Sequence, residues 1–451
     1  MRVLLVNPWV TDLFELGYWT KPIGLLYAGA FLAQRGHQVA LVDCMHTADL
    51  EDEAGLTSPG ALPNRPRRIR AEVVEKPAVL ARYRFDFKRH GLPVETFETL
   101  VREQPRPDVV LVGCTMTYWY HGAFEAICRL RALLPGVPIA LGGVYARLCT
   151  AHARAASGAD RVVTGSLPRE VISEVEALAG VAGSGRVAGD AFADWPEPLW
   201  ELYDRLPVAV TMTSIGCPLR CSACASYYLS RGYARRPAAA AAAAVLQLAG
   251  RGAAVVGFMD DALLVDAEDH ALPMFRRLAE AGAPARLKTP NGIHVAAVTP
   301  ELARAMWDGG VDGLALSIET VLPERMRSWS QKTSMDDFQR AVECLRRAGF
   351  GRRHLVAYVM FGLPGQGIEE AVATRDFVAS CGVEPRVVVF TPVPRTLEFA
   401  RAVQAAMISA DGDPVLHNNK LRALDYFERH PDERATFRDL FAISSPVAGL
   451  A

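Results

Sequence analysis

Short β-rich apolar runs alternate with amphipathic stretches at the start of the chain. Val3 to Val6 predicts a first strand, Gln38 to Val42 a second, Val109 to Val112 a third and Ile139 to Leu141 a fourth. Lys21-Pro22-Ile23-Gly24 opens a helix to about Gln34, with proline early and Gly36 just past its end. A second helix, from His121 to about Leu134, separates the third and fourth strands. Parallel strands joined by such crossovers predict a right-handed, doubly wound α/β domain.

Residues 47–100 interrupt this rhythm with the basic run Asn64-Arg-Pro-Arg-Arg-Ile-Arg70 and then Arg82, Arg84, Lys88 and Arg89. The segment reads as a solvated insertion, with a lid over anionic groups as the alternative. The α/β rhythm restarts after a linker rich in glycine, proline and tryptophan. Strands are predicted at Ala209 to Thr213, Val255 to Asp260, Arg286 to Thr289, Gly313 to Ile318, Leu355 to Gly362 and Arg386 to Thr391. Six strands with five intervening helices suit a partial barrel; the alanines from Ala238 to Ala244 serve as helix formers in its first helix. The expected division is a doubly wound domain over 1–180, a linker over 181–207, the partial barrel over 208–400 and a mostly helical tail over 401–451.

Half the residues are hydrophobic, 22% are charged and the net charge is −1, which argues against a nucleic-acid binder. No apolar run reaches membrane-spanning length and no secretory leader is visible, so the cytoplasm is the expected location and no membrane partner is expected. The nine cysteines are an odd number in a signal-free chain, which argues against a disulfide framework. Cys44, Cys114, Cys128, Cys149, Cys344 and Cys381 lie singly, several in apolar patterns such as the AICRL around Cys128, and read as core residues.

The other three crowd into Ser214-Ile-Gly-Cys217-Pro-Leu-Arg-Cys221-Ser-Ala-Cys224, directly after a predicted strand, where α/β enzymes place ligands. Three thiolates on a tight loop can bind three irons of a cubane cluster and leave the fourth open to a small molecule. A three-cysteine zinc knuckle and a regulatory thiol cluster are the alternatives, although no histidine or second cysteine pair lies close to Cys224.

This C-x-x-x-C-x-x-C arrangement resembles the radical S-adenosylmethionine (SAM) enzymes, and the resemblance covers roughly residues 205 to 400. It implies a four-iron four-sulfur cluster on Cys217, Cys221 and Cys224, with SAM chelating the open iron and cleaved reductively to a 5′-deoxyadenosyl radical. Phe258-Met-Asp260-Asp261 stands where the family contacts the methionine amino group, and Ser317-Ile318-Glu319 where it often contacts ribose or methionine. Phe361-Gly362-Leu363-Pro364-Gly365 is like the segment beside the adenine, and Thr391-Pro392-Val393-Pro394 ends the sixth strand. Glu319 lies in an apolar run where an unpaired carboxylate is costly, which favours a ligand role; Asp260 and Asp261 could instead cap a helix. The family usually has an aromatic residue just before the third cysteine; here Ala223 stands there, with Tyr227 or Tyr228 as candidates to fill the space.

The stretch from Lys21 to Asp43 and Pro107-Asp-Val-Val-Leu-Val-Gly-Cys-Thr-Met-Thr117 resemble the cobalamin-binding domain that precedes many such enzymes, over about residues 1 to 180. The resemblance implies a cobalamin site with Thr115, Gly142 and Gly143 in close approach, and Gly165 after a further short strand. The loop from Asn7 to Gly17 lacks the D-x-H-x-x-G histidine of many cobalamin proteins, so the lower face of cobalt is expected to be free of imidazole; Trp9, Tyr18 and Trp19 could shield it or be core residues.

The leading functional expectation is a cobalamin-dependent radical methyltransferase acting on an unactivated centre of a small-molecule substrate, reduced by an electron donor such as flavodoxin or ferredoxin. A radical rearrangement, cyclisation or oxidation without methyl transfer is the nearest alternative, and a non-catalytic cobalamin or cluster sensor the more distant one. The polar stretch from Asp413 to Asn419 reads as a satisfied turn that could also close the reaction chamber.

Overall fold

The computed structural model describes residues 1–13, 20–46, 70–166, 168–181, 189, 191–329 and 333–442. Tyr18, Trp19, the basic run up to residue 69, positions 14–17 of the first loop and most of the glycine-rich linker lie outside the described residues.

The chain forms two compact units. In the first, β1 (Arg2–Asn7), β3 (Gln38–Asp43), β6 (Val109–Gly113), β7 (Ile139–Gly142) and β8 (Arg161–Val162) make a parallel sheet in the order β3-β1-β6-β7-β8. Every pairing in it is parallel. Its strands are apolar on both faces because helices cover both, and Leu5, Val109 and Leu111 pack with Phe31, Leu32 and Ile172. The strand order reverses between β1 and β6, which opens a crevice outside their carboxyl ends.

Helix α1 (Ile23–Gln34) begins after Pro22 and ends before Gly36, whose φ of 81° no β-carbon favours. An unforeseen antiparallel sheet joins this unit: β2 (Val10–Asp12), β5 (Phe87–His90) and β4 (Ala71–Val74), in that order. The insertion is thus partly built structure. Arg89 is tied to Glu72 and Glu125, so this cation is spent on internal ion pairs. Residues 411–417 also belong to this unit: Tyr120 donates to Asp413 (2.7 Å) and His417 lies 3.3 Å from Thr117.

The second unit is a partial (β/α)6 barrel. Its strands β9 (Val208–Thr211), β12 (Val255–Phe258), β13 (Arg286–Ile293), β14 (Val311–Glu319), β15 (Leu355–Phe361) and β16 (Glu384–Val389) form one parallel sheet in sequential order. Two short strands, β10 (Ser214–Ile215) and β11 (Ala234–Arg235), pair antiparallel at its carboxyl edge. The alanine run opens the helix Ala238–Gly250 and buries Ala241, Ala242 and Ala244 against the sheet. The end of the described chain is helical, and Phe361 at the tip of β15 meets Tyr426, Phe437 and Phe441 there.

One cysteine expectation is corrected by the helical period. Cys128 is exposed, because Ala126, Ile127 and Leu130 occupy the buried face of the helix Tyr120–Leu133. Cys44, Cys114 and Cys344 are buried as expected, while Cys149 and Cys381 are half-buried.

Candidate active site

The cysteine loop leaves β9 under tight control. Asp260, just beyond β12 and 4% exposed, accepts from Thr213 N (3.0 Å), Thr213 Oγ1 (2.7 Å), Ser214 N (2.6 Å) and Ser214 Oγ (2.7 Å). Burial pushes its carboxyl above the usual range, and these hydrogen bonds oppose that. His270, fully buried, places Nε2 2.9 Å from Thr213 Oγ1, and burial lowers its imidazole to about 4. Gly216 has φ 70° and sits where a β-carbon would come within 2.1 Å of Gly232 O, so only glycine can precede Cys217 there.

Of the three cysteines, Cys221 is buried, while Cys217 and Cys224 are half-buried. Cys224 N donates to Cys221 O at 3.1 Å, a single turn. Cys224 Sγ lies 3.1 Å from Ser226 Oγ and 3.4 Å from Ser226 N, polar groups suited to a thiolate.

A narrow cleft opens at the carboxyl ends of four neighbouring strands. Cys217 follows β9, Asp260 and Asp261 follow β12, Asn291 and His294 lie at the end of β13, and Ser317 at the end of β14. Four candidate residues therefore meet in one place. Asp261 is exposed and Asp260 is enclosed, so adjacent carboxylates face different environments.

Neither Asn291 nor His294 belongs to a motif legible in the sequence. Pro290-Asn291-Gly292 reads as a turn, yet it continues β13 through a register break between Thr289 and Ile293. Asn291 Nδ2 donates to Met259 O and Asp260 O, both at 3.2 Å. Gly292 makes room for Ser317, since a β-carbon there would fall 2.3 Å from Ser317 Oγ.

Glu319 and Gly362 do not line this cleft. Glu319 ends β14, half-buried, with φ 66° at a register shift opposite β15, a backbone position uncommon for a residue other than glycine. Gly362 has φ 86° with only Val389 near its missing β-carbon, so its turn conformation explains the glycine. Ala223 packs against Leu363, Phe390 and Ala402, filling its position with aliphatic contacts. The Tyr227 and Tyr228 rings meet at a tilt, their centroids 4.2 Å apart, and Tyr228 is 43% exposed.

In the first unit, Thr115 is exposed just beyond β6, and Gly142 and Gly143 end β7. The two glycines differ. Gly143 has φ 96°, and its β-carbon would fall 2.4 Å from Cys114 O, so the backbone itself requires it. A β-carbon on Gly142 would meet nothing within 4 Å, which leaves open space at the sheet edge. Gly165 abuts Glu170. Trp9 is a core residue: it is 1% exposed, donates to Leu92 O at 2.7 Å and packs on Phe97. His37 is held by Glu176 at 2.9 Å, and His46 lies 3.0 Å from Lys21 Nζ.

The donor set fits an iron–sulfur cubane. Among the described residues no three histidines, cysteines or carboxylates surround a single point as one metal ion requires. A cubane gives each cysteine its own iron, so its ligands need not converge in that way. The space beside Gly142 lies at the carboxyl end of β7, on the same edge of the sheet as the strand-order reversal between β1 and β6, where doubly wound domains receive their ligands.

Residues 211–378 match the Radical SAM superfamily. No curated protein matches the chain. Among solved structures, the radical SAM methyltransferase TsrM from Kitasatospora setae, with cobalamin and an iron–sulfur cluster bound, is 16% identical with a TM-score of 0.65, over 92% of this chain and 81% of that one. TsrM with tryptophan substrate and a SAM analogue bound gives 17%, 0.65, 92% and 82%. The apo form of OxsB, a cobalamin-dependent SAM radical enzyme, is 12% identical with a TM-score of 0.56, over 96% of this chain and 61% of that one. The chain therefore carries a radical SAM domain over residues 211–378, within a fold it shares with TsrM across 92% of its length.

Proposed function

We propose that the chain is a cobalamin-dependent radical methyltransferase, with a four-iron four-sulfur cluster on Cys217, Cys221 and Cys224 and a small molecule as methyl acceptor. The observation that carries this reading is the cleft that gathers Cys217, Asp261, Asn291 and Ser317 at four strand ends. The bound cluster would supply the electron that cleaves SAM, and bound cobalamin a carrier for the methyl group.

The protein's own residues have distinct parts. Asp261 offers an exposed carboxylate to the methionine ammonium, and the Ser317 hydroxyl is placed for a second polar contact. Asp260 is a positioning residue, because its oxygens are already engaged by Thr213 and Ser214. Glu319 and Gly362 would meet the nucleoside part from outside the narrow cleft. The space beside Gly142, with Thr115 and Gly143 nearby, would receive cobalamin. The likeness of fold to TsrM and OxsB supports the cobalamin and methyl-transfer parts.

The test is an anaerobic assay of reconstituted protein with SAM, cobalamin, dithionite and a panel of small-molecule methyl acceptors. Formation of 5′-deoxyadenosine together with S-adenosylhomocysteine and a methylated acceptor supports the reading. 5′-Deoxyadenosine alone would mean radical chemistry without methyl transfer, and neither product would mean a sensor.

A further inference from the structure

Between Cys221 and Cys224 the loop carries a buried serine. Ser222 is 8% exposed, its Oγ donates to Glu398 Oε1 at 2.8 Å, and its carbonyl accepts from Glu398 N at 3.1 Å. The neighbouring Ala223 packs on Ala402, one turn further along the same helix, Leu397–Gln404. That helix is capped by Thr396, whose Oγ1 accepts from Phe399 N at 3.1 Å. Glu398 stands in its first turn, where the helix dipole favours a carboxylate. Two carboxylates distant in sequence thus hold the loop, Asp260 before Cys217 and Glu398 after Cys221.

The hydrogen bond from Ser222 does not by itself require a charge, since a glutamine oxygen would accept it equally. Glu398 is 3% exposed, and its Oε2 is buried without a hydrogen-bond partner among the described residues. Arg401 reaches Oε1 at 2.6 Å, but its side chain is 44% exposed, so the pair returns little of the cost of burying the carboxylate. Stability of the fold does not account for this charge.

We propose that Glu398 is a positioning residue for the cysteine loop and a fixed negative charge beside it, which lowers the reduction potential of a cluster held there. The inference rests on the cluster assignment above. Reduction adds one electron to the cluster from an external one-electron reductant, and a like charge in poorly solvated surroundings opposes that addition. The reduced cluster is then the stronger electron donor, which suits cleavage of a carbon–sulfur bond in SAM. Arg401 offsets part of the charge from its half-exposed position.

The test measures iron content and midpoint potential, by spectroelectrochemical titration of the reconstituted chain without SAM. The variants are E398Q, E398A, R401Q and, as an exposed-charge control, E343Q, whose carboxylate side chain is 61% exposed. E398Q should keep its iron, because the amide oxygen still accepts from Ser222, and shift the potential upward. R401Q should shift it downward, and E343Q should leave it in place. At high salt the E398Q shift should persist while the R401Q shift shrinks, since only Glu398 is buried. E398A should lose at least about half its iron, because the buried Ser222 donor is stranded. Full iron in E398A would overturn the positioning role. An unchanged potential in E398Q, or equal shifts in E398Q and E343Q, would overturn the electrostatic one. Should E398Q lose its cluster, an unshifted R401Q overturns that role instead. Wild type that holds no cluster would refute the assignment beneath the proposal.

Discussion

Ser214 donates to Asp260 twice, from its backbone nitrogen at 2.6 Å and from its hydroxyl at 2.7 Å, three residues before Cys217. With Thr213 making the same double contact, one buried carboxylate fixes where the cysteine loop starts. Removing it would strand several buried donors at about 1–3 kcal/mol each.

Asp260 and Asp261 are therefore expected to fail differently. D260A should lose at least about half its reconstituted iron, because the loop is no longer held in register. D261A should keep its iron but bind or cleave SAM about ten- to hundredfold less well, the loss of one charge-assisted hydrogen bond. Iron analysis beside SAM cleavage kinetics separates the two; full iron in D260A would remove its positioning role.

Replacing Cys217, Cys221 and Cys224 together by alanine should abolish the cluster's broad visible absorbance. C128A should leave it intact, since Cys128 lies exposed on a helix of the other unit. A triple variant that still holds iron and sulfide would overturn the cluster assignment.

The two glycines after β7 make a second contrast. G143A forces a β-carbon to within 2.4 Å of Cys114 O at φ 96° and should destabilise the first unit by about 1–3 kcal/mol or more. G142V should leave thermal stability nearly unchanged and weaken cobalamin binding, read by spectrophotometric titration. Unchanged cobalamin affinity in G142V would place the cofactor elsewhere.

Stability should fall as the solution is acidified from neutrality. Burial lowers His270 and His121 to about 4, so folded protein keeps both imidazoles neutral where the unfolded chain protonates them near its ordinary value of about 6.5. Their contribution is complete above that value and is lost as pH falls from about 6.5 toward 4, because unfolding takes up protons. Melting temperature measured from pH 7 to pH 5 should drop, and H270Q should reduce the slope. A flat profile in the wild type would refute the depressed values.

The six barrel strands and the first sheet's five strands, the last as the short strand before Gly165, were legible because each is a short β-branched run bounded by turn residues, a local signal. Parallel order followed from the helices between them. The antiparallel sheet of β2, β4 and β5 was not legible, since its strands are three or four residues long and half polar, with pairing set by distant partners. Cys128 sits in a pattern that looks apolar in one dimension, and only the helix's rotation exposes it.

The sequence by itself determined the donor set of the proposed cluster, because three thiols within eight positions are already confined by chain connectivity. It also determined the α/β class, through periodicities that each segment carries alone. The tertiary structure decided which polar residues reach the cleft. Asn291 joined it although Pro290-Asn291-Gly292 resembles a turn, and Asp260, while lining the cleft, engages its carboxylate with Thr213 and Ser214, whereas Asp261 stayed exposed. Those outcomes depend on strand register and on which hydrogen-bond donors a neighbouring strand presents. Register is fixed between segments far apart in sequence, so no local pattern encodes it.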